Sequence, residues 1–210
     1  MTWVGNNLDI IARHTLAHLW LALPPIALSL LLALPVAWLA TRVPALRSLL
    51  VSGSSLLYAI PSLPLFIVLP LLLGTGIRDQ INVIIALTLY GLALMVPSTV
   101  DGLAAVDRRV IDTAIAMGHG PLRRFFTVEL PLAGPAMLAG LRVVSVSTIA
   151  LVTVAAVLGI PNLGMLFTDG FQRGITASVV TGLVATVVVA VVFDRLLALV
   201  GRLVLPWSSA

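Results

Sequence analysis

Of the 210 residues, 60% are hydrophobic and only 10% charged, with a mean hydropathy of +1.16. An ordinary soluble domain is about 45–50% apolar and about 25% charged, so this chain must be solvated by lipid; with no cysteine it is also excluded from disulfide, thiolate-metal and cysteine-nucleophile chemistry. All 12 basic residues are arginine, which leaves out the lysine of a Walker-type phosphate loop, and the net charge of +4 comes from arginines set between apolar runs, a topology signal rather than a nucleic-acid surface.

In chain order, residues 1–13 hold Asn6, Asn7 and Asp9 but no basic leader or small-residue cleavage site, so no removable signal peptide is expected. A hydrocarbon core about 30 Å thick takes roughly 20 apolar residues as helix. Five stretches qualify: 19–40, 49–73, 81–100, 133–158 and 176–200. They are continuously apolar, whereas the strands of a membrane barrel alternate, so the expected fold is an all-α membrane protein with five transmembrane helices. His14 and His18, four apart, share a helix face, but no third ligand accompanies them. They are read as polar residues before the first span, and no metal site is expected.

Arginine placement orients these spans. Arg42 and Arg47 follow the first, Arg108, Arg109, Arg123 and Arg124 the third, and Arg195 and Arg202 mark the C-terminal end. The alternate connections hold only Arg13, Arg78 and Arg173. The arginine-rich side is the cytoplasm, placing the N-terminus outside and the C-terminus inside. Residues 1–15 are then an extracytoplasmic segment, 16–199 the membrane domain and 200–210 a cytoplasmic tail.

Prolines 24, 25 and 35 fall in the first span, 61, 64 and 70 in the second, and 97 in the third. Each removes a backbone donor and clashes with the preceding turn. Such interruptions suit helices that enclose a path and move, or they reflect the ordinary frequency of proline in membrane helices. Small residues recur four apart as Ala136 with Gly140, Ala177 with Thr181 and Ser178 with Gly182, a pattern that lets backbones approach closely. Ser145, Ser147, Thr148 and Thr153 add hydroxyls that serve helix packing or line a polar path.

The third connection is long for a membrane loop. Asp107 suits a helix N-cap, and Val110, Ala114 and Met117 fall on one face. Gly118 and Gly120, flanking His119, stop that helix, and Pro121 opens another. On the second, Leu122, Phe125 and Phe126 are expected to face one way, beside Arg123 and Arg124. Two short amphipathic helices fit either a groove on a partner or the membrane surface.

The same loop resembles that of the permease subunits of bacterial ABC importers, which read Glu-Ala-Ala, three residues, Gly, nine residues, Ile, one residue, Leu-Pro. Here Asp112-Thr113-Ala114 precedes Gly118 by that spacing, and Val128, Glu129, Leu130 and Pro131 complete it. The resemblance implies the type I ABC importer transmembrane fold and a coupling loop over 104–131. Its contact residues would be Asp112, Thr113, Ala114, Gly118, His119, Gly120, Val128, Leu130 and Pro131. Residues 60–66, 86–90, 138–142 and the Gly159-Ile-Pro-Asn-Leu-Gly164 turn are further similar to osmoprotectant importers, which carry glycine betaine, carnitine, choline or proline. The implied partners are ABC ATPase subunits, a second permease subunit (identical or paralogous), an extracytoplasmic solute-binding protein and the lipid bilayer. No nucleic acid is among them. ATP and magnesium belong to the ATPase, and this chain binds no cofactor.

The implied location is the bacterial inner membrane. Within the fourth span, the resemblance places Arg142 near the inner interface, snorkelling. Tyr58, Pro61, Tyr90, Ser145 and Thr148 are the candidate path residues, the tyrosines by cation–π attraction to a quaternary ammonium or simply as packing residues. No catalytic constellation occurs, so no enzyme activity is expected. The readings set beside this one are an importer of an amino acid or another small solute, a transporter or channel working without ATP, and a membrane scaffold.

Overall fold

The computed structural model describes residues 2–209, which form helices joined by short turns. A short helix α1 (Thr2–Gly5) precedes α2 (Leu8–Arg42), and the chain then folds into α3 (Pro44–Ala59) and α4 (Ser62–Leu73). Helix α5 (Gln80–Ala104) leads through α6 (Arg108–Ala116) and α7 (Pro121–Arg124) to a π turn at Phe125–Glu129. Helix α8 (Leu130–Val152) tightens into a 3₁₀ stretch, Thr153–Leu158, before α9 (Met165–Gln172) and α10 (Thr176–Val204). Four stretches are long and apolar enough to cross a membrane: Leu8–Arg42, Gln80–Ala104, Pro121–Leu158 and Thr176–Val204. A fifth is added if α3 and α4 count as one broken span.

The prolines do not act alike. Pro24, Pro25 and Pro35 leave α2 continuous, as Pro97 leaves α5. At Ile60–Pro61 the chain instead turns by 103° between α3 and α4. Ile60 and Pro61 are both extended, with ψ of 128° and 135°, as the residue before a proline prefers. The expected single span at 49–73 is therefore two short helices. At about 1.5 Å per residue neither alone crosses a 30 Å core.

Helix also extends beyond the apolar stretches. Helix α2 begins well before residue 19, because Asp9 and Arg13 form an i,i+4 ion pair at 2.8 Å on an exposed helical surface. Hydropathy ends a span where charge begins, but the backbone ladder continues. The connection after the fourth span contains helix α9, which its mixed composition concealed.

Helix α5 is the centre of the bundle, packed on α2, α3, α4 and α8. One buried cluster joins Leu21, Phe66, Leu87, Tyr90, Ile149 and Ile160, and a second joins Ala37, Met95, Val100, Phe125, Met137 and Val144. Lipid tails are as apolar as leucine, so close approach rather than water exclusion holds such helices together. A Cβ added at Gly140 would lie 2.5 Å from the Ser98 Cβ, and one at Gly91 would lie 2.6 Å from that of Ser29. The Ala136/Gly140 and Ser178/Gly182 pairs thus serve packing, the first against α5 and the second against α9. Ala177 is exposed and takes no such part.

Candidate docking loop and path residues

The loop after α5 is built as its residues dictate. The Asp107 carboxylate accepts from the Arg109 N–H at 2.8 Å, capping α6. At the other end Gly118 takes φ +80°. The His119 N–H reaches the Ala114 carbonyl at 3.0 Å and the Gly118 N–H that of Ile115 at 2.9 Å, the paired bonds of a Schellman stop. Pro121 opens α7.

Of the predicted apolar face only Ala114 is buried, at 1% exposure; Val110 and Met117 stand 41% and 66% exposed. With Arg109, Thr113 and Val128 they line a shallow groove of about 260 Å³. The loop motif thus brings Thr113, Ala114 and Val128 together, with an open apolar surface between them. Asp112 lies on the side of Arg108, 3.9 Å away. The His119 Nδ1 stands 3.5 Å from the Thr127 hydroxyl. Gly120 is exposed, and Leu130 and Pro131 are half-buried where α8 begins.

The second short helix of the sequence reading does not exist as a separate unit. Helix α7 runs through the π turn into α8, one helical stretch from Pro121 to Leu158. The Leu130 N–H reaches back to the Phe125 carbonyl, and Pro131, lacking an N–H, would have interrupted an α ladder here in any case. Leu122 and Phe126 are 63% and 60% exposed, whereas Phe125 is 5% exposed and meets Trp38 of α2 edge-on at 6.2 Å. Neighbouring residues point about 100° apart on a helix, so Phe125 and Phe126 cannot share a face.

Two of the ion pairs, neither anticipated from sequence, lie on the helical stretch that follows the loop. Arg124 Nε donates to Glu129 at 2.5 Å, with side chains only 13% and 10% exposed. Glu129 occupies an otherwise apolar run, and a buried carboxylate requires such a partner. Farther along α8, Arg142 is paired. Its Nε and Nη2 donate to the two carboxylate oxygens of Asp194 on α10, at 2.7 and 2.8 Å. The two residues sit 52 apart in sequence, and no local spacing links them.

The candidate path residues separate into two groups. Tyr58 and Tyr90 meet edge-on at 5.9 Å, and Pro61 is exposed beside them. The Tyr90 hydroxyl donates to the Ile60 carbonyl at 2.5 Å. In an α-helix that carbonyl would receive residue 64, but Pro64 has no N–H to give. Ser145 and Thr148 are buried, and the Ser145 hydroxyl donates to Leu141 of its own helix at 2.7 Å. A parallel case is His18, fully buried, whose Nε2 lies 3.0 Å from the Ile149 carbonyl. The 3₁₀ turn there takes the Thr153 N–H to Ala150 and Leu151 instead. In the turn before α9, the Asn162 side chain accepts from the Gly164 N–H at 2.6 Å and donates to the Ile160 carbonyl at 2.9 Å.

The model of the family described as "Binding-protein-dependent transport system inner membrane component" matches residues 26–205, from within α2 to the end of α10. The chain belongs to this family. Among the inner membrane components it resembles is the osmoprotectant import permease OsmW of Salmonella typhimurium, 29% identical, with 91% of this chain and 90% of that protein aligned. The choline transport system permease OpuBB of Bacillus subtilis is 27% identical over 91% of this chain and 87% of its own length. An ergothioneine transport permease/ergothioneine binding protein of Helicobacter pylori is 35% identical over 71% of this chain. The chain spans only 26% of that longer relative. Among solved structures, the inward-facing MetNI methionine ABC transporter superposes with a TM-score of 0.81 at 19% identity, covering 94% of this chain and 97% of that one. The fold is therefore that of type I ABC importer permeases.

Proposed function

We propose that this inner membrane component is the permease subunit of an ATP-driven importer for solutes bearing a trimethylammonium group. Glycine betaine, carnitine and choline osmoprotectants come first among these. The chain crosses the membrane five times, with its N-terminus outside and the α6–α7 loop inside. It pairs with a second permease subunit, takes solute from an extracytoplasmic binding protein and rests on two ABC ATPase subunits that supply ATP and magnesium.

The exposed apolar groove along α6 carries this reading. Val110 and Met117 flank Ala114 on α6, closed at both ends, with Val128 of the π turn opposite, and α7 joins this loop to a membrane span. Such a face suits helix-in-groove docking. Asp112, Thr113, Ala114 and Gly118 to Gly120 would form the contact, with Val128, Leu130 and Pro131 as its base. The solute class rests on the relatives. Those named for choline, carnitine, glycine betaine and ergothioneine share a quaternary nitrogen bearing three methyl groups. The greater identity to the ergothioneine relative supports ergothioneine as a second reading. Tyr58, its ring 43% exposed beside Tyr90 and Pro61, offers such a cation a π face in passing. Ser145 and Thr148, buried on α8, would join the path only where the bundle opens.

The test is uptake into vesicles holding the permease with its ATPase and binding protein. ATP-dependent accumulation of labelled glycine betaine, choline, carnitine or ergothioneine supports the proposal. Accumulation of none of the four, by a complex that still hydrolyses ATP, would assign another solute class.

A further inference from the structure

We propose that Arg142 and Asp194 are positioning residues that make α10 follow α8 during transport, an inference that rests on the importer reading above. From Pro121 to Leu158 the chain is one helical stretch of 38 residues, about 55 Å long at 1.5 Å per residue. This rod starts in the docking loop and ends on the opposite side of the bundle. A displacement imposed at α6 and α7 therefore reaches its neighbours through whatever α8 grips.

Its grip on α5 is apolar packing, with Met137 and Val144 in the cluster of Met95 and Val100 and close approaches of Ala136 to Gly102 and Gly140 to Ser98, which fix distance but present no directional bond. Its grip on α10 is different. Leu138 abuts Gly201, Gly134 abuts Leu205, and next in line comes the bidentate Arg142–Asp194 pair. A surface crevice of about 370 Å³ between the two helices has Val146 and Ala150 on the α8 side and Thr186, Val187, Val191 and Asp194 on the α10 side. Arg142 and Asp194 form the directional contact at the edge of that crevice. Arg195, the neighbouring cation, is exposed and leaves both Asp194 oxygens to Arg142.

A forked guanidinium–carboxylate contact sets angle as well as distance, so it resists both sliding and rotation of α10 against α8. Ionisable groups within membrane helices are costly and mark function. An apolar pair of similar volume would hold the helices with equal stability. What the charges add is register under load.

The importer is reconstituted in vesicles with its ATPase and binding protein, and glycine betaine uptake is measured per ATP hydrolysed. In R142M/D194L, yield and ATP hydrolysis stay at the wild-type level while uptake per ATP falls roughly tenfold, the size of a coupling between two sites. The exchanged pair R142D/D194R recovers most of that loss. A double apolar variant that transports as well as wild type overturns the proposal alone, whereas a wild-type complex that hydrolyses no ATP overturns both readings. Because the chain has no cysteine, labels on Val146→Cys and Val191→Cys, on the two walls of that crevice, report the helix register in the otherwise unaltered protein, whatever the variants' yield. Their spacing stays constant between nucleotide-free and ATP-bound complexes. A change of about one helical turn, 5 Å, shows the helices slipping and sinks the idea.

Discussion

At Gly118 the backbone sits in the left-handed region, φ +80°, and open space surrounds the position of a Cβ. A side chain there meets no clash but carries a conformational cost of about 1–2 kcal/mol, and it stands in the proposed docking loop. Gly118→Val is therefore expected to insert and fold normally, yet to capture no ATPase in a detergent pull-down. Tyr90→Phe removes the hydroxyl that donates to the Ile60 carbonyl beside the proline break. Leaving that acceptor unpaired costs about 1–3 kcal/mol, seen as lower thermal stability in detergent; Tyr58→Phe, which keeps the ring contact, leaves it unchanged. Arg124→Ala strands a buried carboxylate at Glu129 and is expected to cost about 3–5 kcal/mol, largely restored when Glu129 is changed to Gln in the same chain. Asp107, Gly118 and Pro121 were legible from sequence because their roles are local. Glu129 drew attention only as part of a motif; its partner required the π turn that brings Arg124 round to it.

At the scale of the element, the junction of α7, the π turn and α8 decides how the loop is attached. A π turn holds one more residue than an α turn. It absorbs that residue without turning the helix on either side. Deleting Leu122 from α7, ahead of the π turn, would rotate α6 by about 100° relative to α8. Membrane insertion should survive that deletion, since 130–152 is untouched, while ATPase capture and uptake are lost. Equal capture would show that the loop docks independently of the rod. The helix packing was legible in part. Ala136 with Gly140 and Ser178 with Gly182 announced close contact by spacing, but Ala177 with Thr181 has the same spacing and Ala177 lies exposed. Spacing defines a face; it does not say whether a neighbour covers it.

For the whole molecule, the arginine distribution makes a prediction independent of any packing. A cysteine at His119 should resist a membrane-impermeant maleimide in intact cells and react in inside-out vesicles. Labelling in intact cells would invert the proposed topology. Membrane character, five apolar runs and the loop's stop signals were determined by the sequence alone, because hydropathy, charge placement and turn chemistry act through near neighbours and through the solvent. Tertiary structure decided which prolines bend the chain, which phenylalanine turns inward and where Arg142 finds its counter-charge. Each of those depends on whether a distant segment supplies a partner, as Tyr90 does for Ile60, Trp38 for Phe125 and Asp194 for Arg142. A one-dimensional pattern states each group's need for a partner, and only the folded bundle settles who meets it.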